Sequence, residues 1–69
     1  MELYVALREA MTRAGWPLER VAFESGVSSD AVRKWLAGSS QPRRVAYDLL
    51  RRKLPGFAEM VDREVARAS

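Results

Sequence analysis

The sequence lacks two residue types on which much protein chemistry depends, because none of its 69 residues is cysteine or histidine. Disulfides are therefore excluded, and a metal site would have to be built from carboxylates alone. Catalysis would depend on scattered carboxylates such as Glu59 and Asp62, whose i, i+3 spacing is typical of a solvated helix face. No phosphate-binding glycine loop is present either. We expect no enzyme, no cofactor, no metal and no small-molecule ligand.

Long apolar runs are also missing. No stretch approaches the ~18 residues that a membrane span requires. The opening residues MELYVALREA carry charges where a signal peptide would be apolar. These features predict a cytoplasmic protein without membrane contact. A single domain of 69 residues is only marginally stable by itself, so we expect self-association to add stability.

Alternation with the strand period is absent, and turn residues divide the chain into helix-length segments. Turn signals fall at residues 15–17, 26–29, 38–42 and 55–56. Between them, apolar residues recur at helical spacing. The predicted helices cover about residues 2–14, 17–25, 28–37, 43–54 and 57–67. The sequence therefore predicts a compact all-α domain of five helices.

The third segment, within GVSSDAVRKWLAG at residues 26–38, separates two kinds of side chain. At ~100° per residue, Ala31, Val32 and Trp35 share one face. The opposite arc is polar and consists of Ser29, Asp30, Arg33 and Lys34. Such side chains can reach base edges and phosphates from within a major groove. A merely solvated face is the alternative. For Asp30, complementing the helix dipole and accepting from a cytosine amino group remain equally open.

The residues around this helix follow the spacing A-x-x-x-G-V-x-x-x-x-V-x-x-W from Ala22 to Trp35. It supplies a small residue where two helices cross, a glycine for the turn, and apolar anchors on the second helix. With the following link WLAGSSQP, it resembles the helix-turn-helix proteins of the lambda repressor/Cro (XRE-type) family. The resemblance covers roughly residues 2–54, and implies a five-helix lambda-repressor-like domain with its helix-turn-helix at about residues 18–37.

In that family the second helix of the motif enters the major groove, and dimers bind pseudo-palindromic operators. The resemblance implies a Cro-like transcriptional repressor, of a kind known from phages and prophages, that binds double-stranded DNA. The residues expected to approach bases or phosphates are Ser29, Asp30, Arg33 and Lys34. Those expected to approach phosphates are Ser28, a predicted N-cap, together with Arg43 and Arg44. Arg20 and Tyr47 are further candidates for DNA contact.

A second function remains open, in which the helix-turn-helix scaffold binds another protein as an antirepressor or adaptor. The net charge is only +3. In addition, Leu18 stands where the family often has a glutamine, and Pro17 replaces the usual Ser/Thr cap. A salt-dependent affinity for duplex DNA distinguishes the two functions.

The last two segments carry apolar stripes. In the fourth, the residues expected to face inward are Val45, Ala46, Leu49, Leu50 and Leu54. The basic run at residues 51–53 is equally compatible with helix-end charge and with a phosphate role. The fifth segment could fold back on the core or pair with a second copy. We expect a homodimer through Phe57, Met60, Val61 and Val65, with recognition helices roughly 34 Å apart.

Overall fold

The computed structural model of the chain describes residues 3–68, which form five α-helices and no strand. The helices α1 to α5 span Leu3–Ala14, Leu18–Ser25, Ser29–Leu36, Arg44–Lys53 and Phe57–Ala68. The predicted all-α class and the five helices are confirmed, and no described helix end differs from its prediction by more than one residue. Residue 2, with which the first helix was expected to begin, lies outside the described residues.

One apolar core joins all five helices. Helix α1 packs against α3 and α5, α2 packs against α3 and α4, and α4 packs against α5. The largest fully buried side chains are Phe57, Leu7, Leu50, Leu54, Val21 and Val32. Helix α3 is thus held from behind by α1 and α2, which both precede it in the sequence. Within residues 3–68, no helix combines the length and the apolar character that a bilayer crossing requires.

The turn between α2 and α3 is built on Gly26, as the sequence predicts. Gly26 has a φ of +74°, which is in the left-handed region that glycine adopts without steric cost. Its N–H donates to the carbonyl of Phe23 at 3.3 Å, and the N–H of Val27 donates to the carbonyl of Ala22 at 3.0 Å. This pair of bonds is a Schellman motif, which ends α2 and redirects the chain into α3.

Helix α4 departs from its predicted apolar face at one end. Ala46, Leu50 and Leu54 are buried and Leu49 is half-buried, but Val45 is 72% exposed. Val45 lies in the first turn of α4, where it lines an open cleft beside Gly26 instead of packing against a neighbouring helix. The inward assignment of Val45 is therefore corrected, since periodicity alone does not reveal where the neighbouring helix ends.

The predicted dimer surface on α5 also requires correction. Phe57, Met60 and Val61 are only 0%, 8% and 5% exposed, because α5 packs on α1 and α4 of its own chain. Of the two alternatives left open by the sequence, this stripe takes the first and folds back on the core. These three side chains are therefore not available to a second copy. Val65, the fourth predicted interface residue, is 57% exposed.

Candidate nucleic-acid interface

Helix α3 forms where its local sequence favours it. Ser28 has extended backbone angles, and its Oγ accepts a hydrogen bond from the N–H of Ala31 at 3.2 Å, so the predicted N-cap is confirmed. Asp30 lies in the first turn, and Arg33 and Lys34 lie in the last turn. Both signs of charge therefore complement the helix dipole. The capping hydroxyl of Ser28 still has its own hydrogen to donate to an acceptor such as a phosphate.

The two faces of α3 have the environments that its sequence predicts. Val32 and Trp35 are buried in the core. On the opposite arc Asp30, Arg33 and Lys34 are exposed, and Ser29 is half-buried. The buried indole of Trp35 thus anchors α3 to the core, while the polar arc of α3 remains accessible to a partner.

Asp30 does not stand alone on this arc. Its Oδ2 lies 3.6 Å from Nζ of Lys34, one helical turn away, and both side chains are largely exposed. An exposed i, i+4 pair of this kind contributes only about 0.2–0.5 kcal/mol. The positive charge of Lys34 therefore reduces the repulsion between Asp30 and a polyanion such as DNA. The pair is also weak enough for either side chain to leave it and contact a ligand.

Two arginines on this side of the molecule have no ion pair or side-chain hydrogen bond within the described part of the chain. They are Arg33, in α3, and Arg43, which precedes α4 in extended conformation. Neighbouring Arg44 is nearly fully exposed and lies 3.8 Å from Asp48. An arginine without an internal partner keeps all its donors for a ligand. Arg33 and Arg43 are therefore the cations most available to an anionic partner here.

A cleft of about 410 Å³ separates α3 from the start of α4. Ala31 and Trp35 line it from α3, and Arg43 and Val45 line it from the other side. Arg43 is thereby placed beside α3, as the predicted interface requires. The sequence-based assignment missed this cleft and its polar rim residue Gln41, although Gln41 belongs to the WLAGSSQP link that carries the family resemblance.

The two less central candidates, Arg20 and Tyr47, already make contacts within the protein. The guanidinium of Arg20 lies 4.3 Å from the ring centroid of Trp16, and its Nε is 3.7 Å from Glu24. The hydroxyl of Tyr47 accepts a hydrogen bond from Arg51 at 3.4 Å, and its ring packs edge-on against Phe57. Arg20 can leave its weak i, i+4 pair with Glu24, and the hydroxyl of Tyr47 keeps its own hydrogen to donate, so these contacts exclude neither residue from DNA binding.

The basic run at residues 51–53 is divided among different partners. Nη1 and Nη2 of Arg51 donate to the two oxygens of Asp62 at 3.1 and 3.2 Å. These hydrogen bonds, and the one to Tyr47, raise the pKa of Arg51 above its ordinary value. Lys53 lies 3.5 Å from Glu24. Two of the three cations therefore link α4 to other helices, a role that neither the helix-end nor the phosphate interpretation of this run predicts.

Comparisons of the chain with models of known families, with curated proteins and with solved structures find no match. The interpretation of this surface consequently depends on the residues themselves and on the resemblance stated above.

Proposed function

We propose that the protein binds double-stranded DNA in a sequence-specific manner, as a small dimeric transcriptional regulator that represses by occupying its operator. The observation that carries this proposal is the division of α3. Its indole, Trp35, is buried, while the carboxylate and cationic side chains of the opposite arc are exposed and the hydroxyl of Ser29 is half-buried. A helix held in this way can enter a major groove with its polar arc toward the bases.

The side chains of the arc suit different contacts. Arg33 has no ion pair or side-chain hydrogen bond among residues 3–68 and can donate two parallel hydrogen bonds to O6 and N7 of guanine. The hydroxyl of Ser29 can donate or accept, so it fits several bases. Lys34 can reach a guanine or a phosphate once its weak pair with Asp30 opens. Phosphate contacts fall to Arg43 and its neighbour at the start of α4, which position the domain without reading sequence.

The short recognition helix supports the proposal of a second copy. The eight residues of α3 extend ~12 Å, enough to face about four base pairs. Two copies on inverted half-sites would double the sequence that is read. The contact between them is not assigned to Phe57, Met60 or Val61, because their own core buries these side chains.

The salt dependence of DNA affinity tests this function. The wild-type protein is titrated into a labelled duplex at several salt concentrations. If Arg43 and Arg44 each neutralise a phosphate, log K should fall with log salt at a slope of about −2 per bound copy, and a phosphate contact from Lys34 would bring the slope to about −3. A flat response, or no binding at low salt, would contradict the proposal.

A protein partner is the second candidate, and one observation favours it. Phe23, on α2, is 82% exposed, which makes it the most exposed large apolar side chain among the described residues. Aromatic residues are enriched in protein–protein interfaces. Phe23→Ser should leave DNA affinity unchanged if the first proposal holds, because Phe23 belongs neither to the polar arc of α3 nor to the start of α4.

A further inference from the structure

The geometry points to Tyr4 and Arg8 of α1 as positioning residues, which hold the end of α3 and the loop after it so that α3 and Arg43 present a fixed surface. This inference rests on the proposed DNA-binding function, but it concerns side chains that lie outside the interface. Neither Tyr4 nor Arg8 belongs to the motif that indicates DNA binding.

The first observation is how the last carbonyls of α3 are satisfied. The last four carbonyls of a helix have no partner within it. The carbonyls of residues 33, 34 and 35 accept from the N–H groups of Ala37, Ser39 and Gly38 at 3.0, 3.1 and 3.1 Å. The carbonyl of Leu36 instead accepts from Nη2 of Arg8 at 2.8 Å, across 28 positions of sequence. Helix α1 thus completes the end of α3 with a short, charge-assisted hydrogen bond.

The second observation is the contact between Tyr4 and Gly38. Gly38 has a φ of +79°, and a Cβ placed on it would lie 3.2 Å from Cε1 of Tyr4. The tyrosine ring therefore lies directly against the glycine backbone. Tyr4 precedes Arg8 by one helical turn, so both side chains project from the same side of α1. One side of α1 consequently contacts the last residue of α3 and the start of the following loop.

The contacts of Arg8 and Tyr4 restrain the end of α3 and the start of the following loop, which the buried Trp35 does not contact in this way. Trp35 fixes which face of α3 turns inward, but residues 37–41, which follow the helix, are exposed and place no apolar side chain in the core. A hydrogen bond to the last carbonyl fixes the helix along its axis. The loop of residues 38–42 then leads directly to Arg43. Because binding groups must be held within about 0.5 Å of their productive positions, this restraint should affect base reading more than general affinity.

Arg8→Ala, Arg8→Lys and the matched control Arg63→Ala test the inference. Arg63 is an exposed arginine of α5 with no ion pair among the described residues, so its loss removes the same charge from elsewhere. Affinities are measured on a duplex selected by the wild-type protein and on a scrambled duplex. Arg8→Ala should lower the ratio of the two affinities about fivefold, and Arg8→Lys should recover part of it, since a lysine can also donate to the Leu36 carbonyl. Arg63→Ala should leave the ratio unchanged.

Amide hydrogen exchange gives a measurement that does not depend on DNA. In Arg8→Ala, the amides of residues 37–39 should exchange about fivefold faster, while those of α2 and α5 should keep their rates. Unchanged exchange at residues 37–39 would overturn the inference whatever the DNA result. Faster exchange in a protein that binds no DNA would instead refute the proposed function and leave the restraint standing.

The remaining outcomes are also decisive. If Arg8→Ala weakens both duplexes equally and makes the salt slope less negative by about 0.9, Arg8 contacts phosphate itself and the inference is wrong. If Arg8→Ala does not fold, Tyr4→Ala is compared with Tyr4→Phe, which keeps the ring against Gly38. Tyr4→Ala should then lower the affinity ratio and Tyr4→Phe should not, whereas equal ratios would overturn the inference.

Discussion

The two ends of α4 carry similar sequences and differ in what their arginines do. At the start, Arg43 has no internal partner among residues 3–68. Near the end, Arg51 donates to both oxygens of Asp62 and to Tyr47, and so fastens α4 to α5. Both belong to Arg-Arg pairs in the sequence. Basic composition therefore does not identify a DNA-binding cation, because its availability depends on which acidic side chain the fold brings to it.

The apolar stripes of α3 and α5 also do not reveal from sequence alone what each helix contacts. Helices α3 and α5 both bury an apolar stripe and expose a charged arc, which includes Arg33 and Lys34 in α3 and Glu59 and Arg63 in α5. Helix α5 contributes Phe57, Met60 and Val61 to the core, and Asp62 to an interhelical ion pair. The three following predictions test these contrasts.

The largest expected effect is on stability. Phe57→Ala should lower the free energy of unfolding by ~3–5 kcal/mol, because a fully buried aromatic ring is replaced by a cavity. Chemical denaturation measures this value, with Val65→Ala, on the exposed part of α5, as the control that should change little. A Phe57→Ala protein that kept its stability but lost mass in solution would restore α5 as a dimer surface.

The next effect concerns base reading. Arg33→Ala should lose ~1–3 kcal/mol of binding free energy on the selected duplex and much less on a scrambled one, because a bidentate contact to guanine is removed. Fluorescence anisotropy with both duplexes measures the difference, with Arg63→Ala as the control. Equal losses on the two duplexes would assign Arg33 to phosphate contact and remove it from sequence recognition.

The smallest effect separates the two ends of α4 directly. Arg43→Ala should weaken binding to every duplex alike and make the salt slope less negative by about 0.9, with the melting temperature unchanged. Arg51→Ala should do the opposite, lowering the melting temperature and leaving the slope alone, since it breaks the link between α4 and α5. Equal changes of slope in both variants would show that the internal partners of Arg51 do not withdraw it from DNA.

Local features were accessible from the sequence because short-range chemistry fixes them. The Ser28 cap, the left-handed Gly26 and the buried Trp35 each depend on residues within a few positions, and all three are confirmed. The placement of α5 on the core and the exposure of Val45 depend on distant helices, and periodicity does not specify those neighbours.

The same limit applies to the candidate site. The exposed arc of α3 follows from helical spacing, and the structure agrees with it. Arg51 pairs with Asp62, 11 positions away, and Arg8 reaches Leu36, 28 positions away, whereas Arg43 has no ion pair among residues 3–68. No spacing rule anticipates such contacts.

Selection of bound duplexes from a random pool tests the central claim most directly. The account predicts that the wild-type protein enriches an inverted repeat whose half-sites lie 10–10.5 base pairs apart, and that Arg33→Ala loses preference at one position in each half-site. A pool that stays random under low-salt selection, or a motif that Arg33→Ala leaves intact, would contradict the claim that α3 reads DNA.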